Sequence, residues 1–141
     1  MLFRHCAGGV VFWKDKVLLI LNDKGEWSLP KGIIRHGYTA DEVALMRVNN
    51  ETGVTAKIIE SAGDTSYEFY SISRQKPVCN MITWFIMEAK DDLVELNPDD
   101  GLSDGGFYHI EEALKRITHN QEKALVRISH QKLKALSKIG A

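Results

Sequence analysis

Cysteine is scarce in this sequence. Cys6 and Cys79 are the only two, and each sits in an apolar, strand-like run. That pattern reads as two buried free thiols in a reducing cytosol, with a disulfide as the minority reading. Long apolar runs are missing as well. The clearest near the start, Val17 to Leu21, falls far short of the roughly 20 residues that span a bilayer. Arg4 and His5 lead directly into Gly8-Gly9 and a strand pattern, with no secretory leader architecture, so a cytoplasmic location is expected and no membrane partner. Nor does one sign of charge dominate: 18 Lys and Arg stand against 19 Asp and Glu, a net charge of −1. A bulk electrostatic attraction to nucleic acid is therefore not expected. The histidines His5, His36, His109, His119 and His130 show no metal-ligand spacing. Repeats, low-complexity tracts and long linkers are absent, so residues 1–141 are expected to form one domain. With 44% apolar residues, such a chain can build its own core.

The elements present alternate in type. Ala7 to Trp13 and Val17 to Leu21 read as strands joined by the polar turn Lys14-Asp15-Lys16. A loop rich in turn formers follows, from Asn22 through Trp27-Ser28-Leu29-Pro30-Lys31-Gly32. Thr39 with Glu42 three residues later forms a capping box, and Gly53 stands where a helix ends in a left-handed residue. Between them Val43, Ala44, Leu45, Met46 and Val48 predict a helix packed on two sides. Strands are expected at Val54 to Ser61, Thr65 to Ile72 and Val78 to Ala89. Asp91 to Gly106 reads as a polar loop, followed by a short strand at Phe107-Tyr108. Helices are expected near Ile110 to Ile117 and Asn120 to Ser137. This order fits an α/β or α+β fold with a mixed sheet.

Gly32, Val48, Glu51, Gly53 and Val54 stand in one fixed register. The segment from Gly32 to Val54 resembles the Nudix box: Gly, five residues, Glu, seven residues, then Arg-Glu-apolar-x-Glu-Glu-x-Gly-apolar. The lead-in Trp27 to Gly32 is similar to that of the branch acting on diadenosine polyphosphates and diphosphoinositol phosphates. The strand Ala7 to Val11, the strand Trp84 to Met87 and the helix at Glu111-Glu112-Ala113-Leu114 fall where that branch has counterparts. The resemblance thus extends over nearly the whole chain. It implies a Nudix-type α/β/α sandwich, a nucleoside or dinucleotide polyphosphate ligand, and Mg2+ or Mn2+ as cofactor.

The acids of that box are where this sequence departs. Tyr38 aligns with the first Glu, Met46 with the Arg, Arg47 with the next Glu, and Asn50 with the first of the Glu pair; only Glu51 remains. Positions 47, 50 and 51 share one face of the last helical turn. Three carboxylates there would repel one another and oppose the helix dipole unless a cation joined them. Here Arg47 and Glu51 cancel and Asn50 is neutral. Glu51 with the Gly32 carbonyl remains a conceivable magnesium ligand pair, since that ion takes few protein carboxylates. A guanidinium about 5 Å from a divalent ion opposes it by up to about 7 kcal/mol at an effective dielectric near 20. With the box arginine's partners gone, Met46 is expected to pack in its place.

Arg47 has two readings: a replacement for the metal that contacts phosphate through its fork of donors, or simply the partner of Glu51. Lys31, Lys76 and Arg74 are candidates for a phosphate path, with Lys31 set apart by its motif. Tyr67, Phe69 and Tyr70 could stack on a base, although a strand with several aromatics more often divides them between core and solvent. Trp27 reads as a packing anchor. Asp99, Asp100 and Asp104 lie near the loop position from which some Nudix enzymes draw a general base; a solvated acidic loop is the plainer reading. The expected function is binding of a nucleoside di- or polyphosphate-like ligand through Lys31, Gly32 and Arg47, with weak or no hydrolysis. Such a chain would be a pseudoenzyme with a degenerate active site. One alternative is a working hydrolase that combines Glu51 with Glu68 or with acids of the Asp99 to Asp104 region. The other is an interaction domain with an empty cleft.

Overall fold

A computed structural model describes residues 1–139. Strands β1 (Leu2–Trp13) and β2 (Lys16–Leu21) are joined by a tight turn in which Lys14 takes φ 54°. Short strands β3 (Trp27–Ser28) and β4 (Lys31–Ile33) precede helix α1 (Ala40–Thr52). The long hairpin of β5 (Ala56–Ser71) and β6 (Lys76–Ala89) follows, then a 3-10 turn (Pro98–Asp100), β7 (Asp104–His109), α2 (Ile110–Arg116) and α3 (Asn120–Ile139). The strands form a seven-stranded mixed sheet with the path β3-β2-β1-β6-β5, while β4 pairs with β1 and β7 with β2. Among the described residues only β1 and β6 run parallel; every other pairing is antiparallel. This is the expected α+β arrangement of a mixed sheet with helices. No helix among the described residues is long and apolar enough to cross a membrane.

Alternation along β1 divides the core in two, because successive side chains point to opposite faces of a sheet. Cys6, Val10 and Phe12 pack with Ala113 and Ile117 at α2 and with Leu125 and Val126 of α3. Ala7 and Val11 pack with Val43, Ala44 and Val48 of α1. Helix α1 begins as its sequence predicts: Thr39 is extended, its N–H donates to the Glu42 carboxylate at 3.3 Å, and the capping box closes. It ends at Gly53, whose φ of 71° is left-handed and whose N–H donates to the Asn49 carbonyl. A side chain at such an angle is strained, so glycine sets the stop.

Four expectations need correction. The two strands expected at Val54 to Ser61 and Thr65 to Ile72 are one strand, β5. Register shifts at Ile58/Glu60 and Ser61/Gly63 absorb the interruption, and Gly63 takes φ 96°. Bulges let a strand bend without ending, so a break in alternation imitates a boundary. Helix α1 buries one face, not two: Leu45 is only partly buried and Met46 is 42% exposed. Met46 therefore does not pack into the space of the expected arginine. The strand expected at Phe107-Tyr108 runs from Asp104 to His109 because β2 offers it a full pairing partner. Finally, the loop before α1 holds β3 and β4, each too short to show a period.

Candidate functional site

Strand β4 brings the two halves of the candidate site together. Lys31 pairs with Gly8 of β1 and Gly32 with Ala7, and being neighbours on a strand they face opposite ways. Lys31 lines a cavity on the α3 side of the sheet. Gly32 faces α1, where a Cβ would lie 2.5 Å from Arg47 Cδ and Nε. The three atoms nearest to such a Cβ all belong to the Arg47 side chain, which lies across this position.

At the end of α1 the intrahelical pair forms as the spacing predicts. Arg47 Nη2 donates to Glu51 Oε1 at 2.5 Å. Glu51 is 3% exposed, whereas the Arg47 side chain is 37% exposed. Arg47 Nε and Glu51 Oε2 are buried without partners. Burial pushes the Glu51 carboxyl above the usual glutamate range; Arg47 opposes this and Asp100 adds to it. The following loop is pinned to the helix end, with Glu95 N–H donating to the Thr52 carbonyl and Asn97 N–H to that of Glu51. Asp100 on this loop acts on Glu51 electrostatically, although it is exposed like Asp99 and Asp104. Tyr38 is 47% exposed and Asn50 points to solvent.

These residues do not fit a divalent cation. Glu51 offers one uncommitted oxygen, but a guanidinium is bonded to its other oxygen and lies across Gly32. No cluster of three His, Cys, Asp or Glu side chains placed to hold an ion occurs among the described residues. Mg2+ and Mn2+ take oxygen ligands in near-octahedral sets and are repelled by a fixed cation. What the pair offers instead is a partly exposed guanidinium held in place by a buried carboxylate.

The cavity on the other face measures about 770 Å3. Its floor comes from three strands: Arg4 of β1, Ile82 of β6, and Thr65 and Tyr67 of β5, with the buried Asn80 in register between Arg4 and Tyr67. Trp84 lies beneath them, its indole N–H donating to Thr65 Oγ1 at 2.8 Å. The wall comes from Asn22 to Glu26 and from His119 to Glu122. Glu122 is buried; one carboxylate oxygen accepts the Leu29 N–H at 2.7 Å, and the other lies 3.9 Å from Lys31 Nζ. His119 Nε2 meets Glu26 Oε2 at 2.7 Å and ties the two walls together. Hydrogen bonding to His119 helps to hold the Glu26 carboxyl below its ordinary range, against the desolvation that opposes it.

Of the sequence candidates, Lys31, Tyr67 and Phe69 reach the cavity, whereas Gly32, Arg47 and Glu51 lie at the α1 end behind β4. Tyr70, Arg74 and Lys76 are exposed at the β5–β6 hairpin end and take no part in the lining. Glu68 is exposed on β5 and is not among the charges acting on Glu51. Trp27 is the packing anchor expected, edge-on to Tyr108 with Arg116 over its ring. Both cysteines are buried free thiols. Sequence reading missed Arg4, His119 and Glu122. Glu122 alone left a trace, as an acid on the apolar stripe it shares with Leu125, Val126 and Ser129 of α3.

The fold is shared with solved structures of hydrolases. The Caenorhabditis elegans Ap4A hydrolase, solved as a binary complex, superposes with a TM-score of 0.72 at 20% identity, over 94% of this chain and 98% of that one. The Escherichia coli dihydroneopterin triphosphate pyrophosphohydrolase superposes at 0.68 with 14% identity, over 89% and 95%. A protein described as the mutator protein MutT4 of Mycobacterium tuberculosis (strain CDC 1551 / Oshkosh) is 39% identical over 49 residues, 35% of this chain. That match spans only 20% of the mycobacterial protein's length. The NUDIX domain model matches residues 3–128, and the chain belongs to that family.

Proposed function

We propose that this chain is a binding module for a phosphorylated small molecule of the nucleoside di- or polyphosphate class, with weak or no hydrolysis. The observation that carries this reading is Arg47, laid across Gly32 and bonded to Glu51 where the family's metal-binding carboxylates would stand. Family members generally use a divalent metal to bind the diphosphate and activate water. A guanidinium can supply the first of these functions, as bidentate donors to phosphate oxygens, but cannot supply the second. The cavity of about 770 Å3 lies on the other face of β4 and is lined by Lys31 but not by Arg47; it is of a size that holds small ligands and would take the rest of the molecule, which favours a binding module over an interaction domain with an empty cleft. Relatives of this fold act on diadenosine and pterin polyphosphates, and this supports the ligand class.

A hydrolase reading has one observation in its favour: the negative charge of Asp100 is felt at Glu51, and a cation delivered together with the nucleotide would relieve that repulsion. Calorimetry with ATP and diadenosine tetraphosphate, with and without magnesium, separates the two. The binding module takes up nucleotide with an affinity that magnesium changes little, and turnover stays at background. Nucleotide binding that requires magnesium, followed by turnover abolished in Glu51→Gln, establishes the hydrolase instead. If neither ligand binds, both readings fail.

A further inference from the structure

Arg4, Asn80 and Tyr67 stand side by side on β1, β6 and β5: Arg4 pairs in register with Asn80, and Asn80 with Tyr67. Arg4 Nε donates to Asn80 Oδ1 at 2.8 Å. Asn80 Nδ2 donates to the Tyr67 hydroxyl at 2.7 Å. Asn80 is buried, and these two bonds fix the orientation of its amide. The Arg4 guanidinium lies over the Phe69 ring, 5.6 Å from its centroid.

The donor inventory of this row is one-sided. With Nε engaged, both terminal amino groups of Arg4 remain, and Arg4 makes no ion pair among the described residues. The Tyr67 oxygen accepts from Asn80, so its own proton is available to another acceptor. Arg4 and Tyr67 line the same cavity, which therefore has several N–H and O–H donors at this end and no carboxylate bonded to them. Two of the cavity's acids are engaged elsewhere, Glu26 by His119 and Glu122 by Leu29 N–H; the third, Asp23, lies on the β2–β3 loop. A guanidinium held by stacking and by one hydrogen bond, with its fork free, is pre-organised for an oxyanion. Lys31 pairs with Gly8, four residues from Arg4 along β1, which is about 13 Å at the rise of a strand.

We propose that Arg4 and Tyr67 form a second oxyanion site, at the opposite end of the cavity from Lys31, that takes a phosphoryl or carboxylate group of the ligand. The inference rests on the cavity being the ligand site. A ligand that fills it is anionic at both ends, with one charged group toward Lys31 and the other between Arg4 and Tyr67.

The test follows the Arg4 Nε–H resonance by 15N NMR of the whole chain during separate titrations with inorganic phosphate and sodium acetate. A saturable shift is expected with at least one anion, and the one bound more tightly assigns the group as phosphoryl or carboxylate. Tyr67→Phe should weaken that binding by roughly tenfold or more, the loss of one hydrogen bond to a charged group. Lys90→Gln, just beyond β6 and outside the cavity lining, should leave it unchanged, and the melting temperature of each variant checks folding. No saturable shift with either anion overturns the proposal, as does an unchanged midpoint in Tyr67→Phe or loss of the shift in Lys90→Gln. ATP calorimetry on the same protein separates the two ideas. ATP binding without an Arg4 response to either anion removes this site and keeps the proposed function. An Arg4 response without ATP binding does the reverse.

Discussion

The two sides of β4 differ in how their charges are settled. Toward α1, Arg47 and Glu51 neutralise each other and leave one buried donor and one buried acceptor orphaned. Toward α3, Arg4 and Tyr67 are aligned by Asn80 and keep their outward donors free. The backbone supporting both is regular: a capped helix ending at Gly53 on one side, and three strands in register on the other. On the proposed reading, the fold keeps the backbone of a catalytic site while its side chains cancel and carries recognition groups elsewhere, because side chains and not strands carry the chemistry.

Two glycines probe this contrast with the largest expected effect. At Gly8, on the cavity side, a Cβ would stand 2.5 Å from Trp84 Cζ3 and 2.7 Å from the Pro30 carbonyl oxygen. Neither can retreat: Trp84 is fully buried and the carbonyl is backbone. Gly8→Ala should cost about 3 kcal/mol, the upper range for overpacking. Gly32→Ala meets only the Arg47 side chain, which can swing into solvent, and should cost about 1 kcal/mol. Urea denaturation measures both. Equal losses would mean that Arg47 is as rigidly held as Trp84.

Arg47→Ala comes next. It leaves Glu51 buried without its partner. Because the Arg47 side chain is 37% exposed, the expected loss is about 1–2 kcal/mol, below that for a fully buried pair. A loss below about 0.5 kcal/mol would show that solvent already screens the pair.

The smallest effect concerns pH. Burial raises the Glu51 carboxyl above its ordinary range, with Arg47 opposing. The folded state thus holds this proton more tightly than the unfolded chain does. Its unfavourable contribution is fully present above the folded pKa. It is relieved as pH falls from there toward the ordinary glutamate value, where the unfolded chain also binds the proton. Glu51→Gln has no such group, so wild type should gain on it as pH drops through that window. Urea midpoints measured from neutral to mildly acid pH check the sign. A wild type that loses ground to the variant on acidification would mean that Arg47 outweighs burial.

Much of the α1 side was legible in the sequence, because its determinants are local. Thr39, Glu42 and Gly53 announce the helix through backbone geometry, and residues 47 and 51 must meet at four-residue spacing. The mixed sheet followed from the alternation of strands and helices. Met46 was misjudged because an apolar residue on a helix reveals its burial only through a partner, and here none covers it. The cavity was far less legible. Arg4, Asn80 and Tyr67 are brought together by pairing across β1, β6 and β5, and Glu26 with His119 by loops far apart in the chain. Tyr67 and Phe69 were visible as aromatics, yet which face they share depends on the bulges of β5. A two-residue alternation decides that Lys31 and Gly32 serve different halves, and a strand of three residues is too short to display it.

Manganese binding tests the account most directly. Calorimetry would compare wild type with the quadruple variant Tyr38→Glu, Met46→Arg, Arg47→Glu and Asn50→Glu, both without nucleotide and both checked by circular dichroism. No measurable binding by wild type is expected, because Arg47 holds Glu51 and covers Gly32. Measurable binding by the variant is expected, because the capped helix and the Gly53 stop still place the introduced carboxylates. Stoichiometric micromolar binding by wild type, or a folded variant that binds no metal, would contradict the account.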